Sequence, residues 1–305
     1  MAIEAVSNIN RAGISAFAGG GGTTDPLDLS ASNPSAPSAN TVRMFGRKVA
    51  GRMYPAFVAP SGLDSSIQPF LARNKVGYWC PPGNANTVPG VLGFTAPTVT
   101  GFTATARNVA TTNRFTRMRR LGYVTAATAG TVGQWRQAVA QYTTGGASGN
   151  GGFQYIVRFG VSDAAEVAGA RMFMGLRIVA APTNVEPSTL TQCIGVGHGE
   201  ADTNMRLYYG GSAAQPSIDL GTGFPIDRST TPYELAVSSP PNETRLDWEV
   251  TNLNTGEALT GTITGAATVL PSETTLIGPW GYRTNNATAL AVGLDVMSAY
   301  IYTDY

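Results

Sequence analysis

The chain has 305 residues, enough for two domains or for one large all-β domain with an extension. Only 13% of them are charged, against about 25% in an ordinary soluble protein, while 37 glycines and 19 prolines mark a foldable, turn-rich chain poor in long surface helices. Charge divides the chain: Met1 to Ala140 holds thirteen Arg and Lys against four Asp and Glu, a net of +9, and Gln141 to Tyr305 holds seven against fifteen, a net of −8.

Halves of opposite sign are expected to face different neighbours. Lys48 and Lys75 are the only lysines, and arginine's planar fork suits fixed contacts with carboxylates. The basic half carries no RNP, helix-turn-helix or zinc-finger pattern, so protein rather than nucleic acid is its expected partner. No apolar run reaches the roughly 18 residues of a membrane helix. The opening MAIEAVSNINRAG lacks the basic-then-apolar order of a signal peptide, so neither membrane insertion nor secretion is expected.

In chain order, residues 1–42 hold a short amphipathic opening and then GGGGTTDPLDLSASNPSAPSAN, which buries too little apolar surface to order alone and reads as a flexible arm. The next block interleaves apolar side chains with cations, and Pro55, Pro60 and Pro69 exclude a long helix. It reads as an irregular segment that wraps a surface. Residues 1–86 are therefore expected to form an extended anchoring arm, with Arg43, Phe45, Arg47, Arg52, Phe57, Phe70 and Trp79 as candidate anchoring residues.

Residues 87–144 read as a linking β region of short Thr- and Val-rich strands. Its basic run RFTRMRRLGY reads as a solvated or subunit-facing strand with structural ion pairs, and TVGQWRQAVAQY fits a strand and a helical turn about equally. GGASGNGG is the clearest loop. Residues 145–305 then show nine short runs separated by turns. Leu246, Trp248 and Val250 alternate with Asp247, Glu249 and Thr251, NTG at Asn254–Gly256 supplies a hairpin turn, and Leu294, Val296, Ser298, Tyr300 and Tyr302 are expected to share a face. The expected fold class is all-β: an antiparallel β-sandwich of jelly-roll, concanavalin-like type behind an irregular N-terminal arm.

The string GVGHGEADTN alternates His198, Glu200 and Asp202, a metal-like spacing, yet its glycines and its place between strands favour a structural loop. Asp247 and Glu249 fit the spacing of a glycosidase acid pair, but any solvated sheet face produces such pairs. Cys80 and Cys193 have no CxxC or His partner and read as free thiols. No catalytic residue, metal site or cofactor is expected. Trp248 reads as core. Tyr208, Tyr209, Trp280 and Tyr282, with Asn285 and Asn286 in the polar turn YRTNNAT, are the candidate receptor or glycan contacts.

The segments FGRKVAGRMYPAFVAPSGLDSSIQPFLARNKVGYW, NVATTNRFTRMRRLGYVTAATAG, GGFQYIVRFGVSDAAEVAGARMFMGL, NVEPSTLTQCIGVGHGEADTN and RTNNATALAVGLDVMSAYIYTDY resemble a family of tailed-bacteriophage virion proteins, over about Asp25 to Tyr305. The resemblance implies a non-enzymatic tail-fibre or structural protein of the particle, a homotrimer as fibres commonly are. Its arm would dock on other virion proteins and its sandwich would meet a host surface glycan or protein. Capsid decoration, head-fibre or neck and collar roles are the alternative, and a glycan-degrading sandwich enzyme ranks below them.

Overall fold

The computed structural model describes residues 37–38, 41, 43–58, 64–66, 76–147, 151–165, 167–226, 229–241 and 243–303. Phe70 and nearly all of the Gly-rich arm lie outside the described residues, as do the side chains of Arg47 and Phe57. The chain divides into two units, Met1–Pro69 and Phe70–Tyr305.

In the first unit, β1 (Arg43–Val49), β2 (Arg52–Val58) and β3 (Asp64–Ser66) form an antiparallel sheet in that order. The expected irregular wrapping is thus replaced, over Arg43–Val58, by a hairpin. Ala50 and Gly51 both take positive φ, 44° and 76°, and such a two-residue turn matches the twist of paired strands. Phe45 and Val49 are buried while Met44 and Lys48 are exposed, the period of two that a strand requires. Pro55 is accommodated because β3 pairs only with Ala56–Val58 and asks nothing of its missing N–H. Phe45 packs on Ala56, and Met44 and Met53 are left exposed.

The second unit is an antiparallel β-sandwich. Its early strands are β4 (Val76–Trp79), β5 (Thr98–Thr100), β6 (Thr103–Ala106), β7 (Leu121–Val124) and β8 (Val132–Arg136). They are followed by β9 (Phe153–Val161), β10 (Arg171–Arg177), β11 (Cys193–His198), β12 (Arg206–Gly210) and β13 (Ile218–Asp219). The last five are β14 (Tyr233–Ser239), β15 (Arg245–Asn252), β16 (Ala258–Thr264), β17 (Gly278–Thr284) and β18 (Gly293–Thr303). One sheet runs β13-β12-β11-β10-β17-β8-β5, the other β16-β15-β14-β9-β18-β7-β6, with β4 also on β18. Within TVGQWRQAVAQY, VGQWR forms strand β8. The basic run does not begin as the expected strand: Arg114–Arg117 form a helical turn, α1, because the Asn113 side chain caps it by accepting from the Thr116 N–H, and the strand β7 starts only at Leu121.

This topology moves the expected domain boundaries. The region 87–144 does not link to the sandwich; its strands are part of both sheets, and β4 lies within the segment assigned to the arm. Trp79, expected to anchor, is a fully buried core residue, edge-on to Trp135 at 5.8 Å, with its indole N–H on the Pro89 carbonyl. The reason is pairing: β4 and β7 each lie along β18, so their apolar faces enter the common core.

The two sheets bury Phe159, Leu235, Trp248 and Val250 of one against Met172, Met174, Ile194 and Leu207 of the other. The final strand departs from simple alternation. A register shift between Val296 and Ser298 inserts one residue, so Leu294 and Val296 enter the core and Ala299 and Ile301 follow them. Ser298, Tyr300 and Tyr302 therefore do not share the face of Leu294 and Val296, because a bulge inverts every later side chain.

Inside this unit two cations of the basic half meet an acid of the acidic half. Asp295, fully buried on β18, takes Arg120 Nε at 2.9 Å, Arg107 Nε at 3.3 Å and the Ser162 hydroxyl at 2.5 Å. Arg120 also donates to the carbonyls of Phe115, Thr116 and Met118, so the basic run does form structural ion pairing. Asp295→Ala strands a buried guanidinium and is expected to lower unfolding free energy by about 3–5 kcal/mol in urea titration.

Candidate functional site

Among the described residues, two assemblies of the sandwich gather the candidate site residues. On the face of the seven-stranded sheet turned away from the main core, Phe173, Cys193, Tyr208, Trp280 and Tyr282 form a second apolar cluster with Leu190. Alternation explains it: Met172, Met174 and Leu176 point one way from β10 and Phe173 the other. The segment 178–192 lies over this face. Trp280 Nε1 donates to the Ala180 carbonyl at 3.4 Å, the Tyr282 hydroxyl to the Val185 carbonyl at 2.7 Å, and Gln134 Nε2 to Ala180 at 2.6 Å. Burial pushes the Tyr282 hydroxyl well above its ordinary pKa and the Cys193 thiol up to about 12. Both cysteines are free thiols.

The expected receptor surface is corrected accordingly. Tyr208, Trp280 and Tyr282 are brought together but are buried under a covering loop, and Asn285 is buried as well. Its amide nitrogen donates to the carbonyls of Thr128 and Leu290 and its oxygen accepts from the Thr131 N–H, leaving no free polarity for a ligand. Tyr209 and Asn286 are partly exposed. Asn286 sits at φ 49° and donates to Glu200 Oε2 at 3.0 Å. Asp247 is held by Arg245 at 3.1 Å and Thr262 at 2.6 Å, as part of a sheet-surface network.

The second assembly is a cleft of about 990 Å³ at one end of the sandwich. It is lined by Asp163, Ala164 and Val167–Ala170 after β9, by His198–Glu200, Asp202 and Thr203 at the end of β11 and its following turn, by Pro225, Ile226, Ser229 and Thr230, and by Arg283 of β17. At its floor Arg283 grips Asp163 with two nitrogens, Nε reaching Oδ1 at 2.9 Å and NH2 reaching Oδ2. Asp163 Oδ1 also accepts the Gly293 N–H at 2.7 Å. Arg283 NH1 lies 2.9 Å from His198 Nε2, and His198 Nδ1 lies 3.1 Å from the Gly199 carbonyl. Arginine has only donors and a carbonyl only accepts, so the ring carries its proton on Nδ1 and accepts at Nε2.

Burial, and then the Arg283 charge, depress the His198 pKa to about 3, so the imidazole is neutral. At the rim Glu200 meets Arg171 at 2.5 Å, and Arg171 meets Glu186 at 2.6 Å. Asp202 accepts the Gly199 N–H and the Tyr208 hydroxyl, each at 2.7 Å. His198, Glu200 and Asp202 thus line one cleft, but each acid has its own donors and the imidazole lone pair is committed to Arg283. Gly195–His198 belong to strand β11 rather than to the expected loop, and the turn that follows shapes a polar recess. Asp163 and Arg283 escape sequence reasoning because 120 positions separate them; the available signal is a charged residue inside the otherwise apolar strand GPWGYRT.

No family model matches the chain, and no curated protein does. Among solved structures it is similar to a protein of unknown function from Shewanella oneidensis, at 11% identity and a TM-score of 0.48, covering 75% of this chain and 86% of that one. It is also similar to peanut lectin bound to a nonapeptide (12%, 0.48, 75% and 97%) and to arcelin-5, a lectin-like defence protein of Phaseolus vulgaris (9%, 0.48, 75% and 98%). Likeness at this level assigns no function.

Because the unfolded chain protonates histidine near pH 6.5 and the folded chain only near 3, unfolding takes up a proton between those values. Stability therefore falls as pH drops through that window, by roughly 1.4 kcal/mol per unit from this group. Chemical unfolding at pH 6.5 and pH 5 is expected to show a shallower loss for His198→Gln than for the native chain.

Proposed function

We propose that the chain is a non-enzymatic structural protein of a bacteriophage particle, held there through its N-terminal region and displaying its sandwich outward, where the end cleft takes a hydroxylated host-surface ligand such as a glycan. The observation that carries the binding reading is the closed array on the cleft floor. Asp163, Arg283 and His198 satisfy one another, so the floor is a rigid set of dipoles and charges rather than a poised acid and base. Proton transfer needs a group with a pKa near the working pH, and His198, at about 3, is far from it. A preformed polar recess suits hydroxyl-rich ligands, whose recognition rests on hydrogen bonds held in place before binding.

The particle role rests on the sequence resemblance and on the first unit, whose hairpin exposes Met44 and Met53 beside Lys48. Exposed methionines on a small sheet are adaptable contacts for another protein. Gold-labelled antibody against the sandwich is expected to decorate intact particles at the tail. Label on the head or neck assigns the decoration role, and no label on particles overturns both. Deleting residues 1–60 is expected to abolish incorporation; normal incorporation removes the anchoring assignment.

For the cleft, Ala164 is exposed on its wall and makes none of the bonds of the buried pair, and Ala164→Trp adds bulk to the recess. Binding of the full chain to host polysaccharide is expected to weaken at least tenfold with melting unchanged. Equal binding by the variant moves the ligand elsewhere, and release of new reducing ends by the native chain overturns the non-enzymatic reading.

A further inference from the structure

Each sheet of the sandwich has two terminal strands, and they are unequal. β13 has two residues, β5 three and β6 four, whereas β16 has seven. Short edges present few unpaired backbone groups; a seven-residue edge presents a template for another strand.

Which groups of β16 face outward follows from its hairpin. The Asn252 N–H donates to the Glu257 carbonyl at 2.9 Å, so that pair is a hydrogen-bonded one. The register continues without interruption, Val250 opposite Leu259, Trp248 opposite Gly261 and Leu246 opposite Ile263, and bonded pairs in an antiparallel ladder recur at every second residue. Leu259, Gly261 and Ile263 therefore bond to β15, while Ala258, Thr260, Thr262 and Thr264 direct their N–H and C=O groups away from it. Those four residues are exposed, and among the described residues their outward backbone groups have no backbone partner. The usual guards of an edge, a lysine, a proline or a bulge, do not occur in ALTGTIT.

The same seven residues are self-complementary about their centre. We propose that β16 pairs antiparallel with β16 of a second copy of this chain, about a two-fold axis at Gly261, so that the eight-stranded sheets of two protomers become continuous. In that register Ala258 faces Thr264 of the second copy and Thr260 faces its Thr262, so every outward-directed residue meets another. Each such pair exchanges two backbone bonds, about eight in all. The threonines on the solvent face stand side by side, a favourable cross-strand pairing, and Leu259 meets Ile263 of the second copy on the core side. Glu257, just before the strand, falls opposite Gly265 of the second copy, so no like charges are opposed. The contact is isologous and closes at two copies.

The test uses the full chain. Light scattering at micromolar concentration is expected to give the mass of two chains. Thr260→Pro removes an outward N–H that β15 does not use, and proline is tolerated on that side of an edge strand; it is expected to give the mass of one chain with its melting transition retained. Ala258→Pro, at the first residue of the strand, is expected to do the same, and Thr260→Val, which keeps the N–H, to remain at two. Independently of any variant, amide exchange at Thr260 and Thr262 of the native chain is expected to slow at least tenfold as concentration rises through the association range. A monomer or trimer, an assembly indifferent to both prolines, or Thr260 and Thr262 amides with concentration-independent exchange overturns the proposal. The last includes the case in which a segment of the chain's own N-terminal region occupies the edge.

Discussion

The sandwich depends on the last strand. β18 lies along β9 from Leu294 to Thr303 and takes β7 and then β4 on its other side, so its eleven residues join three strands that all lie far earlier in the chain. Nothing local specifies that arrangement. Closing so large a loop costs chain entropy, and the return is made only when Leu294, Val296, Ala299 and Ile301 reach the shared core. The bulge after Val296 belongs to the same constraint: the inserted residue lets one strand serve two neighbours in succession.

Asp295 shows what this placement does with charge. A carboxylate fully removed from water is tolerated because Arg107, Arg120 and the Ser162 hydroxyl converge on it from three other segments. The end cleft repeats the solution with Asp163, Arg283 and His198. In both, a cation or carboxylate is fixed by partners distant in sequence, and the charge imbalance between the halves of the chain is partly consumed within the fold. The cleft keeps a rigid polar surface, and β16 keeps an uncharged strand edge.

Covering loops decide which aromatic residues are accessible. Tyr208, Trp280 and Tyr282 are rich in π-surface and look suited to sugar stacking, but all three are buried: residues 178–192 take up the polar tips of Trp280 and Tyr282, and Asp202 that of Tyr208. A loop of that kind leaves no periodic signal, since its role lies in backbone carbonyls such as those of Ala180 and Val185. By contrast the burial of Trp248 was legible from its own strand, where Leu246 and Val250 flank it at a period of two.

The residues by themselves determined the all-β class, the Asn254–Gly256 hairpin and the free thiols, because each rests on backbone preference or on spacing within a few positions. The tertiary structure alone decided that Trp79 is core, that the strands between Thr98 and Arg136 complete both sheets, that the face of β18 inverts, and that Asp163 and Arg283 share a cleft floor. Those outcomes turn on which strand lies beside which, and strand order is settled by pooled burial across the whole sandwich, a quantity that no short stretch of chain contains.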